Sequence, residues 1–400
     1  MTCEVAVMNK RGIALAADSA VTIEDGDGDR KKIYYTAEKL FSLSPDLPIA
    51  IMTYGPADIM SVPWETVVKV YAQKLSGRRF DALAEYAQDF LAFIKGADWL
   101  FPPKVQMQRM RDLAYVVWSD LYKDKLDKAM VGKSRATSKE TLARLAAIIA
   151  EDQEDWATYP ELACVTADDG ERFQEIYAKA LDEVADQVFK DLTLTSDLKA
   201  ALRQTMALTY QKEWFHPLDR SRIVIAGMGE REPFPVLLQY KVGNLAAGTL
   251  RYKKTDETRI DGDMDASVTS FAQDDIILSI IHGIHPRVHQ QLIQAAARFD
   301  GLDKEAESEE IRDREERLAT LVYEKILRPY ADPLLRAVSA LPRQDLAKMA
   351  ESFVNLTAFL MRMTIDEDET VSEPVDVALL SKGDGFIWVK HKDVRVMAHA

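Results

Sequence analysis

The chain has few of the features that mark several large classes of protein. Its 400 residues include only two cysteines, Cys3 and Cys164, which excludes a disulfide framework and favours reduced thiols in a cytosolic protein. No apolar run approaches the ~18–20 residues of a membrane span. The first eight residues carry Glu4 and lack a basic region before an apolar core, so we expect no signal peptide. These absences together predict a soluble intracellular protein.

Positive charge is also scarce. The chain has 51 Lys and Arg against 65 Asp and Glu, a formal net charge of −14. This balance opposes broad binding to nucleic acid or to an anionic membrane. No Gly-x-x-x-x-Gly-Lys-Ser/Thr loop occurs, so any ATP-driven step needs a second protein. The glycines of 227–229 lack the third glycine and the helix start of a dinucleotide site. We therefore expect no cofactor.

Two groups of candidate metal ligands occur, and neither pattern favours a metal. One is a set of histidines that the helical period places on one face: His282, His285 and His289. Pro286 interrupts that set, and no acidic ligand accompanies it. The other group, residues 25–29, begins like a calcium loop, but Arg30 stands where the turn requires Gly. We interpret this segment as an acidic loop and expect no metal.

Apolar and aromatic residues are plentiful. The apolar fraction is 47%, with 14 Phe, 14 Tyr and 6 Trp, which is enough for a sizeable core and excludes disorder of the whole chain. The length favours two or three units, or one domain with large insertions.

The periodicity of apolar residues predicts blocks of strands that bracket helices. Short apolar runs separated by turn residues predict strands at 5–7, 13–17, 38–43, 48–54, 222–227, 236–242, 248–252, 267–270, 375–380 and 386–389. Apolar residues three and four apart predict helices at 62–75, 80–94, 107–121, 137–149, 173–189, 198–214, 275–298 and 345–363. Thr137 and Glu140 form a capping box at the start of one helix. This order fits two sheets packed face to face with helices outside, a four-layer α+β architecture.

The N-terminal segment resembles a known family. Residues 2–7 and 12–19 are similar to the start of proteasome β-type subunits and of their bacterial relatives, the proteasome-like peptidases and ancestral-β-subunit proteins. In that family a mature N-terminal Thr is followed sixteen positions later by an Asp, the spacing of Thr2 and Asp18 here. Lys39 and the turn at 54–58 match the family's next two motifs in order and spacing.

The resemblance implies a nucleophile and its activating groups. After removal of Met1, the hydroxyl of Thr2 would attack the substrate, and the free α-amine of Thr2 would accept the proton. That amine has a pKa near ~7.7–8.0, and the ammonium of Lys39 would lower it by like-charge repulsion. Asp18 would pair with Lys39. Because side chains alternate along a strand, Cys3 is expected on the face opposite to that of Thr2, which favours core packing over catalysis for Cys3.

Other family positions carry supporting roles. A backbone N–H at Tyr54 or Gly55 would stabilise the oxyanion, and Tyr54 stands where the family usually has Gly. Ser270 resembles the serine that bonds the terminal amine. Asp368 resembles the acid that orients the site.

The expected fold is therefore a four-layer αββα N-terminal-nucleophile hydrolase sandwich with large helical insertions. We divide the chain into three core segments and two insertions: core at 2–96, insertion at 97–219, core at 220–296, insertion at 297–345, and the final core helix and closing hairpin at 346–400.

The function implied is that of a threonine-type hydrolase that cleaves amide bonds, most simply peptide bonds, through an acyl-enzyme on Thr2. Two alternatives stay open. One is a small-molecule amidase on the same fold, and the other is a catalytically silent scaffold whose insertions bind partners. The resemblance also implies a homo-oligomer, such as a ring, a peptide or protein substrate, a separate ATP-dependent unfoldase and a cytoplasmic location.

Overall fold

The computed structural model describes most of the chain: residues 3–24, 31–34, 37–131, 137–216, 221–299, 308–363 and 374–392. Thr2, Asp368 and the acidic segment 25–29 lie outside the described residues. Predictions that concern them stay predictions.

The described strands form two five-stranded antiparallel sheets and two short hairpins. The strands are β1 (Cys3–Asn9), β2 (Gly12–Asp18), β3 (Val21–Glu24), β4 (Lys31–Tyr34), β5 (Leu40–Ser42), β6 (Ile49–Tyr54), β7 (Asp58–Ile59), β8 (Val62–Pro63), β9 (Ser221–Gly227), β10 (Val236–Ala246), β11 (Thr249–Arg259), β12 (Ala266–Ala272), β13 (Val375–Ser381) and β14 (Gly385–Lys390). The first sheet has the order β12-β1-β2-β13-β14 and the second β11-β10-β9-β6-β5. The short pairs are β3-β4 and β7-β8.

The described helices occupy the segments between the strand blocks. They are α1 (Trp64–Leu75), α2 (Leu83–Lys95), α3 (Pro103–Val117), α4 (Asp124–Met130), α5 (Ser138–Thr158), α6 (Ala167–Val188), α7 (Ser196–Gln211), α8 (Asp275–His282), α9 (Pro286–Phe299), α10 (Ser308–Val322), α11 (Arg328–Ala340) and α12 (Arg343–Met363). Two π-helical turns, Trp118–Lys123 and Tyr323–Leu327, join α3 to α4 and α10 to α11. The predicted capping box is present, because Thr137 Oγ1 accepts the Glu140 N–H and the Glu140 carboxylate accepts the Thr137 N–H.

The central strands of the first sheet are buried on both faces. All seven residues of β1 and all seven of β2 are buried, and the two strands form a hairpin in which Glu4 lies opposite Ala17. Because side chains alternate along a strand, Val5 and Val7 pack toward helices, while Ala6 and Met8 pack toward the second sheet. By the same alternation, Glu4 lies on the face between the sheets.

Three packing clusters follow from this alternation. One fills the space between the two sheets, with residues of β1, β2 and β13 against residues of β6, β9 and β10. A second covers the outer face of the second sheet with α1 and α2. A third covers the outer face of the first sheet with α8, α11 and α12. The chain is thus a mixed α and β protein with antiparallel sheets, as predicted.

The helices between α3 and α7 have a core of their own. It contains aromatic residues such as Trp118, Phe173 and Tyr210, and it includes Ala246 and Ala247 from the turn between β10 and β11. These helices therefore pack against the end of the long β10–β11 hairpin. The boundaries of the five predicted segments stay predictions.

Some predicted boundaries were wrong for local reasons. The single helix expected at 275–298 is two helices, because Gly283 ends α8 in a left-handed conformation (φ +71°) and Pro286 begins α9. The strand expected to end at 252 continues as β11 to Arg259, where exposed polar residues pair with β10. Among the described helices, none is both long enough and apolar enough to cross a lipid bilayer.

Candidate active site

The candidate site lies at one end of the two packed sheets, where several strands begin or end. Glu4 is near the start of β1, Asp18 is the last residue of β2, and Lys39 directly precedes β5. Tyr54 ends β6, opposite Arg222 near the start of β9. Antiparallel pairing brings residues far apart in sequence to this edge.

Asp18 and Lys39 form a buried ion pair. Lys39 Nζ donates to Asp18 Oδ1 at 2.7 Å, and the two residues are 5% and 1% exposed. The same oxygen accepts the backbone N–H of Cys3 at 2.9 Å, while Oδ2 accepts the Ala20 N–H at 2.9 Å. The carboxylate thus has three donors, which compensates for the loss of water around a buried charge.

Glu4 adds a second carboxylate beside the same ammonium, and the sequence analysis did not assign it a role. Glu4 Oε1 lies 3.5 Å from Lys39 Nζ, and the Glu4 side chain is fully buried. We name Glu4, Asp18 and Lys39 the carboxylate–lysine cluster. The signal was available in the sequence, since an acid inside the apolar run of β1 is unusual for a strand buried on both faces. The cluster holds one positive and two potential negative charges.

Cys3 is not suited to act as a nucleophile. Its side chain packs among the helix-facing residues of the first sheet, and burial raises the pKa of its thiol far above the usual range. Burial also raises the pKa of Cys164. Since the thiolate is the reactive form, both side chains favour a protonated, unreactive state. The prediction that Cys3 belongs to the core is confirmed.

The ring of Tyr54 lies near the cluster, because it packs against Phe271, which is opposite Glu4 in the β1–β12 ladder. Tyr54 is 8% exposed, its ring lies 5.5 Å from that of Phe271, and the Arg222 guanidinium lies 5.5 Å from its ring centre. Burial raises the pKa of its hydroxyl, and the nearby Arg222 opposes that rise. Gly55 follows in a left-handed conformation (φ +86°), which a residue with a side chain rarely adopts. This backbone turn ends β6.

Ser270 lies apart from the face that holds Glu4. Ser270 is opposite Val5 in the β1–β12 ladder, whereas Phe271 is opposite Glu4. Directly opposite residues share a face, so Ser270 lies on the side of Val5, toward the helices. The structure therefore brings Asp18 and Lys39 together with Tyr54 nearby, but it places the Ser270 side chain on the other face of the sheet.

The described residues contain no group of three or more His, Cys, Asp or Glu side chains arranged to hold a metal ion. The prediction that the three histidines share one helical face was wrong. His282 is in α8, His285 lies between the helices and His289 is in α9, because Gly283 and Pro286 separate the two helices.

No protein-family model matches the chain, and no curated protein matches it. Among solved structures, it is similar to the "Anbu (Gly-1) mutant from Hyphomicrobium sp. strain MC1", at a TM-score of 0.31 and 11% sequence identity. The match covers 98% of this chain and 86% of that chain.

Proposed function

We propose that the chain is an N-terminal-nucleophile hydrolase that cleaves amide bonds through an acyl-enzyme on Thr2 after removal of Met1. The observation that carries this proposal is the shared oxygen of Asp18, which accepts both the Lys39 ammonium and the backbone N–H of Cys3. This oxygen ties the first described residue of β1 to a buried ammonium. The arrangement of helices on the outer faces of two packed sheets is consistent with the four-layer fold of such hydrolases.

Covalent geometry relates Thr2 to the cluster. The Cys3 N–H donates to Asp18 Oδ1, and consecutive Cα atoms are about 3.8 Å apart across a trans peptide bond, so the proposal requires the Thr2 hydroxyl to act close to the Asp18–Lys39 pair. Continued alternation along β1 would direct Thr2 to the same face as Glu4. A nucleophile there would lie beside a fixed positive charge.

The proposed reaction has two steps. The Thr2 hydroxyl attacks the amide carbon while its proton passes to the free α-amine of Thr2. The tetrahedral intermediate then expels the amine product, which takes that proton, and leaves an ester on Thr2. Water, activated by the same α-amine, hydrolyses the ester and regenerates the hydroxyl. The Lys39 ammonium favours the neutral, basic form of the α-amine by like-charge repulsion, and the carboxylates of Asp18 and Glu4, where ionised, oppose this effect.

The amide substrate is most simply a peptide. A small-molecule amide is the second candidate, because Tyr54 stands where the family that the sequence resembles usually has Gly. Its ring, with Arg222 against it, would leave less room for a peptide chain beside the cluster. A panel of peptide and non-peptide amides separates the two. A homo-oligomer and a separate ATP-dependent unfoldase stay predictions, which light scattering and co-purification would test.

The decisive experiment is the intact mass of untagged protein before and after treatment with a β-lactone that acylates N-terminal threonine. We expect loss of Met1, one adduct mapped to Thr2, and no adduct in Thr2→Ala. Cys3→Ala is the matched control and should still be acylated. Retained Met1, or equal labelling of Thr2→Ala, contradicts the proposal and favours a catalytically silent scaffold.

A further inference from the structure

The last described residues of the chain return to the candidate site. Lys392 follows β14 by two positions, and its side chain is 7% exposed. A lysine near the end of a chain usually keeps its ammonium in water, because burial of an unpaired charge is costly. The contacts of Lys392 therefore need a structural reason.

The ammonium of Lys392 has three acceptors from three different segments. Nζ donates to Ser19 Oγ at 2.7 Å, to the carbonyl oxygen of Ala37, and to Asp376 Oδ2 at 2.9 Å. A lysine ammonium has three N–H donors, so all three are used. The backbone N–H of Lys392 and the ring of His391 also contact the other oxygen of Asp376, at 2.9 and 3.1 Å. The lysine is thus fixed at both its backbone and its charged end.

Two of these acceptors flank the carboxylate–lysine cluster. Ser19 directly follows Asp18, and Ala37 precedes Lys39 by two residues. The segments also touch each other, because the Ala37 N–H donates to the Ser19 carbonyl oxygen at 3.2 Å. Asp376 lies opposite Ala17 in the β2–β13 ladder. Lys392 therefore joins β13 to the two segments that carry Asp18 and Lys39.

We infer that Lys392 is a positioning residue for the candidate site. Its ammonium joins the closing hairpin to Ser19 and Ala37, a set of contacts that we name the Lys392 tie, and thereby keeps Asp18 and Lys39 in their positions relative to each other. This inference rests on the proposed function only for its effect on acylation. The bond between the segments is independent of catalysis. Small displacements of catalytic groups reduce reaction rates strongly, so loss of these contacts should slow a reaction at the candidate site.

The tie is measured directly by hydrogen exchange of the full-length protein. Lys392→Met alone leaves the Asp376 carboxylate buried without its cation, which risks unfolding. The double variant K392M/D376N removes both charges together and keeps an oxygen for the Lys392 N–H. We expect the Ala37 N–H of this variant to exchange about tenfold faster or more, while amides of β9 and β10 keep their protection.

Acylation of Thr2 by the β-lactone is the second readout. We expect K392M/D376N to be acylated about 10–100-fold more slowly at saturating probe, with similar affinity for the probe. Lys390→Met is the matched control, since Lys390 is on the same hairpin but pairs with Glu351 at the surface at 2.7 Å. It should keep wild-type exchange and acylation.

The outcomes separate the two proposals. Unchanged exchange at Ala37 in a folded K392M/D376N overturns the positioning role, whatever the activity. Faster exchange at Ala37 together with an unchanged rate of acylation shows that the contacts of Lys392 do not position the catalytic groups, and this outcome also overturns the positioning role. Faster exchange in a protein that is never acylated at Thr2, the wild type included, supports the tie and contradicts the hydrolase proposal instead.

Discussion

Lys39 is the residue on which the electrostatics of the candidate site depend. Its ammonium lies 2.7 Å from Asp18 and 3.5 Å from Glu4, and both carboxylates are buried. The two carboxylates differ in how strongly they interact with this cation and with other donors. Asp18 has backbone donors as well as the lysine, whereas Glu4 is farther from the ammonium. Removal of the cation therefore affects both carboxylates at once, whereas removal of either acid leaves the other beside Lys39.

We predict that Lys39→Met destabilises the fold by roughly 3–5 kcal/mol, because it leaves two buried carboxylates without their cation. Glu4→Gln keeps the Asp18–Lys39 pair and similar volume, so its effect on stability should be within about 1 kcal/mol. Urea denaturation followed by tryptophan fluorescence measures both. Equal destabilisation by the two substitutions would contradict this charge balance.

At the residue scale, the sequence predicted the pairing of Asp18 with Lys39 but not the surroundings of the pair. Both residues stand in a motif of fixed spacing, which is a local feature. Glu4 stands out locally as an acid inside an apolar run, but its contact with Lys39 depends on how the strands pack. The contacts of Lys392 with Ser19 and Ala37 depend on a return of the chain across more than 350 residues, which no local pattern encodes. The face on which Ser270 lies likewise depends on the register of β12 against β1, which the sequence does not show.

Among the elements, the closing hairpin was predicted most closely. The pattern predicted strands at 375–380 and 386–389, and the structure has β13 and β14 within one residue of these bounds at each end. Alternation and turn residues are both local signals, so this agreement is expected. The β3–β4 hairpin was not predicted, and the extension of β11 was missed because exposed polar residues carry no apolar period.

Two glycines of this hairpin allow a matched test. Gly385 has φ +70°, and a Cβ there would lie 2.3 Å from the Pro45 carbonyl oxygen, which accepts the Phe386 N–H. Gly383 has no heavy atom within 4 Å of the corresponding position. We predict that Gly385→Ala costs at least about 2 kcal/mol, from backbone strain and the close contact.

Gly383→Ala should change stability by about 0.5 kcal/mol or less, since it alters an open surface position. Chemical denaturation of the two variants gives the difference in their free energies of unfolding, provided that both have the same dependence on denaturant concentration. A Gly385→Ala protein as stable as Gly383→Ala would show that this turn does not need glycine.

At the scale of the whole molecule, the helices from α3 to α7, which the sequence predicts to be the first insertion, are joined to the second sheet through buried polar contacts. The turn after β10 enters the insertion, where Tyr177 accepts the Ala247 N–H at 3.0 Å and Tyr210 donates to the Ala246 carbonyl at 2.9 Å. Thr249 donates to Asp169 at 2.8 Å. An insertion attached in this way should unfold with the sheets rather than before them.

Arg251 on β11 is the strongest of these ties. It is 3% exposed and donates to the carbonyl oxygens of Thr209, Lys212 and Trp214, at 3.1, 3.0 and 2.6 Å. We predict that the wild type unfolds in one calorimetric transition and that Arg251→Met separates it into two. Three carbonyl oxygens, two of them in buried hydrogen bonds, then lose a charged donor. We expect this loss to weaken the attachment of the helices to β11 by roughly 3 kcal/mol.

Lys253→Met is the control for this prediction, because Lys253 lies two positions farther along β11 and reaches Glu213 of the same insertion, but with a 41% exposed side chain. Exposed ion pairs contribute little, so its single transition should shift by only a degree or two. If Arg251→Met also unfolds in one transition, the insertion and the sheets are coupled mainly by apolar packing around Ala246 and Ala247. In that case substitution of either alanine by a charged residue, rather than of the arginine, would separate the two cores.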